Sequence, residues 1–197
     1  RIGSDGTVKI SNVNFTRGKN EGYILAGGIN NFGSLEISNC IFSGNTGDTG
    51  GAILNKGNLS IQNCVFQNNS ATEGGAIFNE IDAQTEIRDS VFISNIAEVG
   101  GAAGAIANTG TITIDNSEFT NNNARGGGAF VNSFYGIATI SDSTFTGNSA
   151  SEAGGAINNF EGAVIIFRSN FIDNSAAAGG AIHSSGFLSI EGNTFND

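Results

Sequence analysis

Phenylalanine recurs at a nearly constant interval along the whole chain, and this repeat constrains the fold more than any other feature. Eight phenylalanines, spaced by 24 to 27 residues, mark it: Phe15, Phe42, Phe66, Phe92, Phe119, Phe145, Phe171 and Phe195. A period of this length is typical of solenoids, in which each repeat packs only on its neighbours. Because the period has no break and no linker, we predict a single repeat domain over residues 1–197, expected to be a segment of a longer chain.

Each repeat contains three short apolar stretches. The residue five positions before each marker phenylalanine is isoleucine in all eight repeats: Ile10, Ile37, Ile61, Ile87, Ile114, Ile140, Ile166 and Ile190. The residue two positions earlier is usually aliphatic, and this alternation predicts a strand with one buried face. A small-x-Phe stretch predicts a second strand. A third is predicted where GGAI-like pieces end: Ile29, Ile53, Ile77, Ile106, Phe130, Ile157 and Ile182.

These three strands predict a coiled rather than a layered architecture. Strands this short, with short connections and no helical period between them, cannot build a sandwich. If each repeat forms one turn of a coil, like positions stack about 4.8 Å apart and every strand pairs with its counterparts above and below. Parallel crossover connections are right-handed by default. We therefore predict an all-β protein, a right-handed parallel β-helix forming a three-sided solenoid with about seven to eight coils of 24–27 residues.

Asparagine and glycine recur at the predicted corners. Asparagine stands three positions after the marker phenylalanine in six repeats and two positions after the third-strand apolar residue in six. Asparagine tolerates left-handed backbone, and its amide can bond the asparagine one coil away. Glycine stands nine positions before the phenylalanine in seven repeats, with Ala83 the exception. We expect this glycine where φ is positive or where a corner is tight.

The paired motifs GGA[ILV] and FxxN resemble the repeats of the chlamydial polymorphic outer membrane proteins, autotransporter adhesins whose passengers are β-helices. FxxN occurs six times, and GGAI or a variant of it begins at seven glycines: Gly27, Gly50, Gly74, Gly100, Gly127, Gly154 and Gly179. The chain departs from the pattern at Phe15, which is followed by TRG. The resemblance implies a passenger segment on a bacterial cell surface. It does not imply one activity, because solenoids of this kind serve several functions.

The charge of the chain argues against nucleic acid as a partner. The formal net charge is −10 and only eight residues are lysine or arginine, whereas phosphate binding needs clustered cations. No run approaches the roughly 18 apolar residues that span a bilayer, so direct membrane insertion is not expected. A phosphate-binding loop needs a strand that leads into a helix, and no helix is predicted. We expect no cofactor.

The sequence offers no convincing catalytic or metal-binding group. The single histidine, His183, follows Ile182 at a position that other repeats fill with residues of many kinds, which predicts a surface position. Glu36 and Glu86 are expected in one outer column, two coils or about 9.6 Å apart, a separation that inverting glycosidases use. Other repeats put Ser or Thr in that column, so a solvated face is favoured over catalysis. We expect a protein that is not an enzyme, without catalytic or metal-binding residues.

The two cysteines, Cys40 and Cys64, occupy the same position in adjacent repeats, where four other repeats have serine. Parallel stacking would hold their Cα atoms about 4.8 Å apart, which a disulfide allows. It would also hold their Cβ atoms at about this distance, slightly beyond the usual range for a disulfide. Two buried thiols are therefore favoured over a bridge.

Apolar residues that point outward cluster in the last three repeats. The loop after the third strand lengthens there to include Phe134, Tyr135 and Phe160, and length variation at one corner marks the binding edge of many solenoids. Strand alternation sends three more apolar residues outward beside this corner. The predicted partner-binding residues are Phe134, Tyr135, Phe160, Ile165, Phe167 and Phe187. Either a partner contacts this surface or a flanking segment covers it.

Two function classes follow, with a carbohydrate-active enzyme as a disfavoured third. The first is an extracellular or bacterial cell-surface adhesin that binds a protein or glycan on a host, a neighbouring cell or a matrix. The second is a fibre or matrix subunit that associates end to end. The second class rests on the terminal repeats, whose apolar residues are expected to meet further coils or the next subunit. These residues are Val8, Ile10, Phe15, Leu188, Ile190 and Phe195.

Overall fold

The computed structural model describes residues 1–20, 25–98 and 100–196, and the chain in these ranges is all β. Its strands form parallel sheets that stack the successive coils of a β-helix, so the predicted fold class is confirmed. No helix occurs among the described residues, and therefore none is long and apolar enough to cross a membrane.

The three predicted strands of each repeat form three long sheets. Sheet 1 contains the apolar-x-Ile strands, Thr7–Ser11, Ser34–Ser38, Asn58–Gln62, Gln84–Arg88, Thr111–Asp115, Ile137–Ser141, Ala163–Phe167 and Phe187–Glu191. Sheet 2 contains the strands of the marker phenylalanines, Asn14–Thr16, Ile41–Ser43, Val65–Gln67, Val91–Ile93, Glu118–Thr120, Thr144–Thr146, Asn170–Ile172 and Thr194–Asn196. Sheet 3 contains the strands that end the GGAI pieces, Ile29–Asn31, Ile53–Asn55, Ile77–Asn79, Ile106–Asn108, Phe130–Ser133, Ile157–Phe160 and Ile182–Ser184.

A fourth, shorter sheet was not predicted. Sheet 4 contains four strands of two residues each, Ser70–Ala71, Ile96–Ala97, Asn123–Ala124 and Ser149–Ala150. Each strand begins directly after a corner asparagine, where the chain turns from sheet 2 toward the glycine segment. Each strand has one buried residue and one that is exposed or half-buried. Two residues are too few for a strand alternation to be recognised in the sequence.

The pairing register places each residue on its equivalent one coil away. Ile87, for example, pairs with Ile61 on one side and with Ile114 on the other. The marker phenylalanines stack in sheet 2 with ring centroids 4.6 to 5.0 Å apart and ring planes within 9° of parallel. The core is therefore a set of ladders, one residue wide, that run along the axis of the coil.

The corner asparagines form two buried ladders, as their spacing predicts. At the corner after sheet 2, each side-chain amide donates to the Oδ1 of the next asparagine at 2.9 to 3.0 Å. At the corner after sheet 3, the same kind of bond measures 2.7 to 3.0 Å. Both ladders lie inside the coil, where every described buried side-chain nitrogen and oxygen has a partner.

The expectation that these asparagines adopt left-handed backbone is wrong. One column of left-handed residues stands one position before the first ladder, at residues such as Asn68 (φ 54°) and Ser94 (φ 51°). A second left-handed column stands three positions before the marker phenylalanine, at residues such as Asn63 (φ 51°). The asparagine of the ladder thus contributes its buried amide, and the residue directly before it forms the left-handed bend.

The GGA motif combines three different requirements. Its first glycine adopts left-handed backbone, as Gly74 does with φ 63°. A Cβ on its second glycine, Gly75, would lie 2.6 Å from the carbonyl oxygen of Ile96 and would collide with that of Gly104. The alanine that follows, Ala76, is fully buried. The glycine nine positions before the phenylalanine resembles Gly75, because Gly57 has no positive φ and no room for a Cβ.

The outer side of sheet 3 is covered by this glycine segment. Leu54 is 1% exposed, and Ala107 and Val131 are each 4% exposed, although strand alternation turns them away from the core. Ala107 and Val131 form a second small apolar cluster with Ala103, and Ala102 and Phe78 pack against it. The prediction of a surface position for this column is therefore wrong in the middle coils.

Candidate partner-binding surface

The predicted binding residues lie where the chain turns from sheet 3 into sheet 1. Phe134 follows the strand Phe130–Ser133 and adopts left-handed backbone with φ 52°. Its amide donates to the carbonyl oxygen of Phe160 at 2.8 Å, which ties the two long loops together. Their rings meet edge to face, with centroids 5.6 Å apart and an interplanar angle of 86°. The two loops thus hold one fixed aromatic pair at this corner.

The residues around this pair expose large apolar side chains to solvent. The exposed fractions are 56% for Phe134, 79% for Tyr135, 44% for Phe160, 43% for Ile165 and 62% for Phe187. Ile137, which the sequence analysis did not single out, is 53% exposed. Ile137 pairs with Ala163, which pairs with Phe187, so the three form one outer column of sheet 1. Aligning the repeats shows this column and could have identified Ile137. These six residues are called the corner patch below.

Phe167 differs from the other predicted binding residues because it is half-buried. The guanidinium of Arg168 lies over its ring, 4.7 Å from the centroid. The Nε of Arg168 also donates to Oδ1 of Asp142 at 2.8 Å. This hydrogen bond lowers the pKa of Asp142 and raises that of Arg168. A cation therefore covers Phe167, which places it at the rim of the corner patch.

The titratable groups weighed for catalysis, His183, Glu36 and Glu86, each have a polar or charged neighbour. His183 is half-buried, and its Nδ1 lies 3.2 Å from Oδ1 of Asn158. Glu36 and Glu86 share a column with Ser60 between them, as predicted, and each is held by a cation, Lys9 or Arg88. Within residues 1–20, 25–98 and 100–196, no three His, Cys, Asp or Glu side chains gather as a metal site would require.

The two cysteines are free, buried thiols, in agreement with the favoured prediction. Each Sγ donates to a carbonyl oxygen at 3.2 Å, that of Ser38 for Cys40 and that of Gln62 for Cys64. The amide of Cys40 in turn points at the Sγ of Cys64 at 3.4 Å. Burial raises the pKa of the Cys64 thiol to about 11. A thiol held neutral in this way is a poor nucleophile.

The terminal coils differ in how far their core residues are covered. Ile190 and Phe195 on the last coil are 50% and 46% exposed. Val8, Ile10 and Phe15 on the first coil are half-buried and pack on the core, as does Leu188 near the other end. The expectation that further coils or a second subunit meet these residues stays a prediction.

Three segments of the chain resemble a repeat that occurs in known proteins. Residues 39–56, 63–80 and 142–159 match a described protein repeat. It is the Chlamydia polymorphic membrane protein repeat. The three matches together cover less than half of the chain. No curated protein and no solved structure matched it.

Each match to the polymorphic membrane protein repeat covers the same arc of the coil. It runs from just before sheet 2, through the FxxN corner and the GGA segment, to the end of sheet 3. This is the arc that holds the stacked phenylalanine, the first asparagine ladder and the glycine that has no room for a Cβ. The corner patch lies largely outside this arc, on the loop that follows it and on sheet 1. The matched repeat therefore covers part of the scaffold, and the six residues of the corner patch lie outside the matched ranges.

Proposed function

We propose that this chain is a non-catalytic, adhesin-like β-helix segment that is displayed on a bacterial surface and binds a protein partner through the corner patch. The match to a membrane protein repeat supports association with the outer membrane or the cell surface. The observation that carries the proposal is the group of six large apolar side chains, each at least 43% exposed, at one corner of the coil and on the adjoining outer face of sheet 1. Exposed apolar clusters of this kind mark interaction sites.

The composition of the corner patch favours a protein partner. Aromatic residues are enriched in protein interfaces, and such residues supply much of their binding free energy. The edge-to-face contact between Phe134 and Phe160 holds two of these rings in place before binding. Less conformational entropy is then lost when a partner binds. The stacked coils beneath serve as a rigid support.

Cell binding with matched variants tests this proposal. The labelled chain is added to cultured mammalian epithelial cells, and surface binding is measured by flow cytometry. The double variant Tyr135→Ser/Phe187→Ser removes the two most exposed rings of the corner patch. We expect at least about tenfold weaker binding, as for loss of interface hot spots. Trypsin treatment of the cells should abolish binding of the unmodified chain, because the partner is a protein.

Ile81→Ser is the matched control. Ile81 is 51% exposed in the long loop of an earlier coil, at the position equivalent to Phe134 but away from the corner patch. This variant should bind like the unmodified chain. Equal binding by the double variant, or undiminished binding to trypsin-treated cells, would contradict the proposal.

A further inference from the structure

The outer face of sheet 1 contains a polar groove that is separate from the corner patch. It crosses the four strands from Ser34–Ser38 to Thr111–Asp115 and encloses about 390 Å³, a volume within the range of ligand sites. Three steps between these strands span about 14 Å. We propose that this groove binds a neutral oligosaccharide or polysaccharide strand. The five neutral side chains that define it here are Asn58, Ser60, Gln84, Thr111 and Thr113.

These side chains are free to bind a ligand. Within the described ranges of the chain, none of the five side chains has a hydrogen-bond partner. The register places Asn58, Gln84 and Thr111 in one column. In the next column carboxylates and hydroxyl groups alternate, in the order Glu36, Ser60, Glu86, Thr113. The groove is thus a grid of polar groups about 4.8 Å apart along the coil, neutral in the first column and alternately carboxylate and hydroxyl in the second. A chain of hydroxylated rings can use the donors and acceptors of such a grid.

The surroundings of the groove argue against other classes of ligand. Glu36 and Glu86 line it, and carboxylates disfavour nucleic acids and acidic glycans. Its apolar lining residues, Leu35 and Leu59, are only 1% and 3% exposed, so the groove lacks the anchors that a protein partner needs. A peptide cannot add to the sheet here, because each strand between the outer two is already paired on both sides. A neutral ligand rich in hydroxyl groups fits these restrictions.

A cation from sheet 1 lies beside each carboxylate in an exposed ion pair, where water weakens its effect, so the charge that disfavours anionic ligands remains. Lys9 Nζ lies 2.7 Å from a carboxylate oxygen of Glu36, and Arg88 pairs with Glu86. Both carboxylates can also accept hydrogen bonds from ligand hydroxyl groups.

Titration with defined oligosaccharides tests the groove. Isothermal titration calorimetry would use cellohexaose, mannohexaose and chitohexaose as neutral probes and an oligogalacturonate as the acidic counterpart. We expect at least one neutral probe to bind and the acidic one not to bind. The variant Asn58→Ala/Gln84→Ala/Thr111→Ala should weaken binding at least about tenfold, because three hydrogen-bonding groups are lost. All three side chains are exposed, so the thermal transition should be unchanged.

Two control variants make the result specific. Gln62→Ala removes an exposed amide from the same face of sheet 1 outside the groove and should bind like the unmodified chain. The corner-patch variant Tyr135→Ser/Phe187→Ser should also keep its oligosaccharide affinity, which separates this site from the proposed protein contact. The proposal is overturned if no neutral probe binds at millimolar concentration, if the triple variant binds unchanged, or if the oligogalacturonate binds as tightly as the neutral probes.

Discussion

The side-chain amide of Asn95 donates to Oδ1 of Asn122 at 3.0 Å, and the backbone amide of Asn95 donates to the same oxygen at 2.9 Å. The second amide hydrogen of Asn95 reaches back to the carbonyl oxygen of Phe66 at 2.9 Å. One asparagine thus joins three successive coils in the interior of the protein. Because solenoid stability is carried by contacts between neighbours, this residue is a natural place to test what holds the coils together.

Replacing Asn95 with alanine should strongly destabilise the fold. The substitution leaves two donors of Asn69 without partners in the interior and removes one hydrogen bond to the carbonyl oxygen of Phe66. Each unsatisfied buried group costs about 1–3 kcal/mol, so a loss of about 3 kcal/mol or more is expected. Urea denaturation followed by circular dichroism measures it. As a control, Asn63→Gly removes an exposed amide at a left-handed position and should change stability by less than about 0.5 kcal/mol. Equal effects of the two changes would contradict the role given to the buried ladder.

Gly75→Ala should prevent the coil from closing. The added Cβ would meet the carbonyl oxygens of Ile96 and Gly104, which are backbone atoms and cannot turn aside as the end of a flexible side chain could. We expect a loss above about 4 kcal/mol or a failure to fold. Gly44→Ala tests the alternative that backbone freedom alone matters, because Gly44 has φ 64° and open space around it. That change should cost only about 1–2 kcal/mol. Thermal denaturation of both variants distinguishes the two explanations. A smaller loss of stability for Gly75→Ala than for Gly44→Ala would contradict the steric explanation.

Both thiols should be unreactive in the folded protein, and the raised pKa of Cys64 should make the stability of the protein depend on pH. Folding raises the pKa of Cys64 from 9.0 to about 11, so the neutral thiol is favoured in the folded state. Its contribution is therefore complete below pH 9 and is lost as the pH rises toward 11. Urea midpoints measured across this interval should fall for the unmodified chain and fall less for Cys64→Ser. A thiol reagent should find no reactive cysteine before denaturation and two afterwards. Rapid labelling of the native protein would refute the buried, neutral state.

Much of the fold follows from the sequence because parallel stacking places like on like. Ile61 pairs with Ile37 and Ile87, so aligning the repeats on one another reproduces the register without any knowledge of the structure. The same alignment located the exposed residues of the later coils. Ile137, the first residue of the strand Ile137–Ser141, is also exposed, but the sequence analysis does not include it among the binding residues. The equivalent residues of earlier coils, such as Thr111, are polar. Of the apolar residues that replace them in the later coils, the sequence analysis identified only Phe187.

Other features depend on backbone geometry that a polarity pattern does not encode. Alternation shows that Leu54 turns away from the core, but its burial depends on the path of the glycine segment outside sheet 3. That path is set by the positive φ of glycines such as Gly50. Likewise, Ser94 makes a left-handed bend at a position where no residue type stands out. The cover over Phe167 comes from Arg168, whose side chain bends back onto its neighbour.

Hydroxyl-radical footprinting of the chain bound to epithelial cells tests the proposed contact surface most directly, because oxidation reports the solvent exposure of individual side chains. Tyr135, Phe187 and Phe134 are 79%, 62% and 56% exposed in the free chain and should be oxidised readily there. On cell binding, their oxidation should fall severalfold, while Ile81, at 51% exposure in an earlier coil, should be oxidised as before. Unchanged oxidation of the corner patch on bound chains, with protection elsewhere on the coil, would contradict the central claim that this patch is the surface that binds.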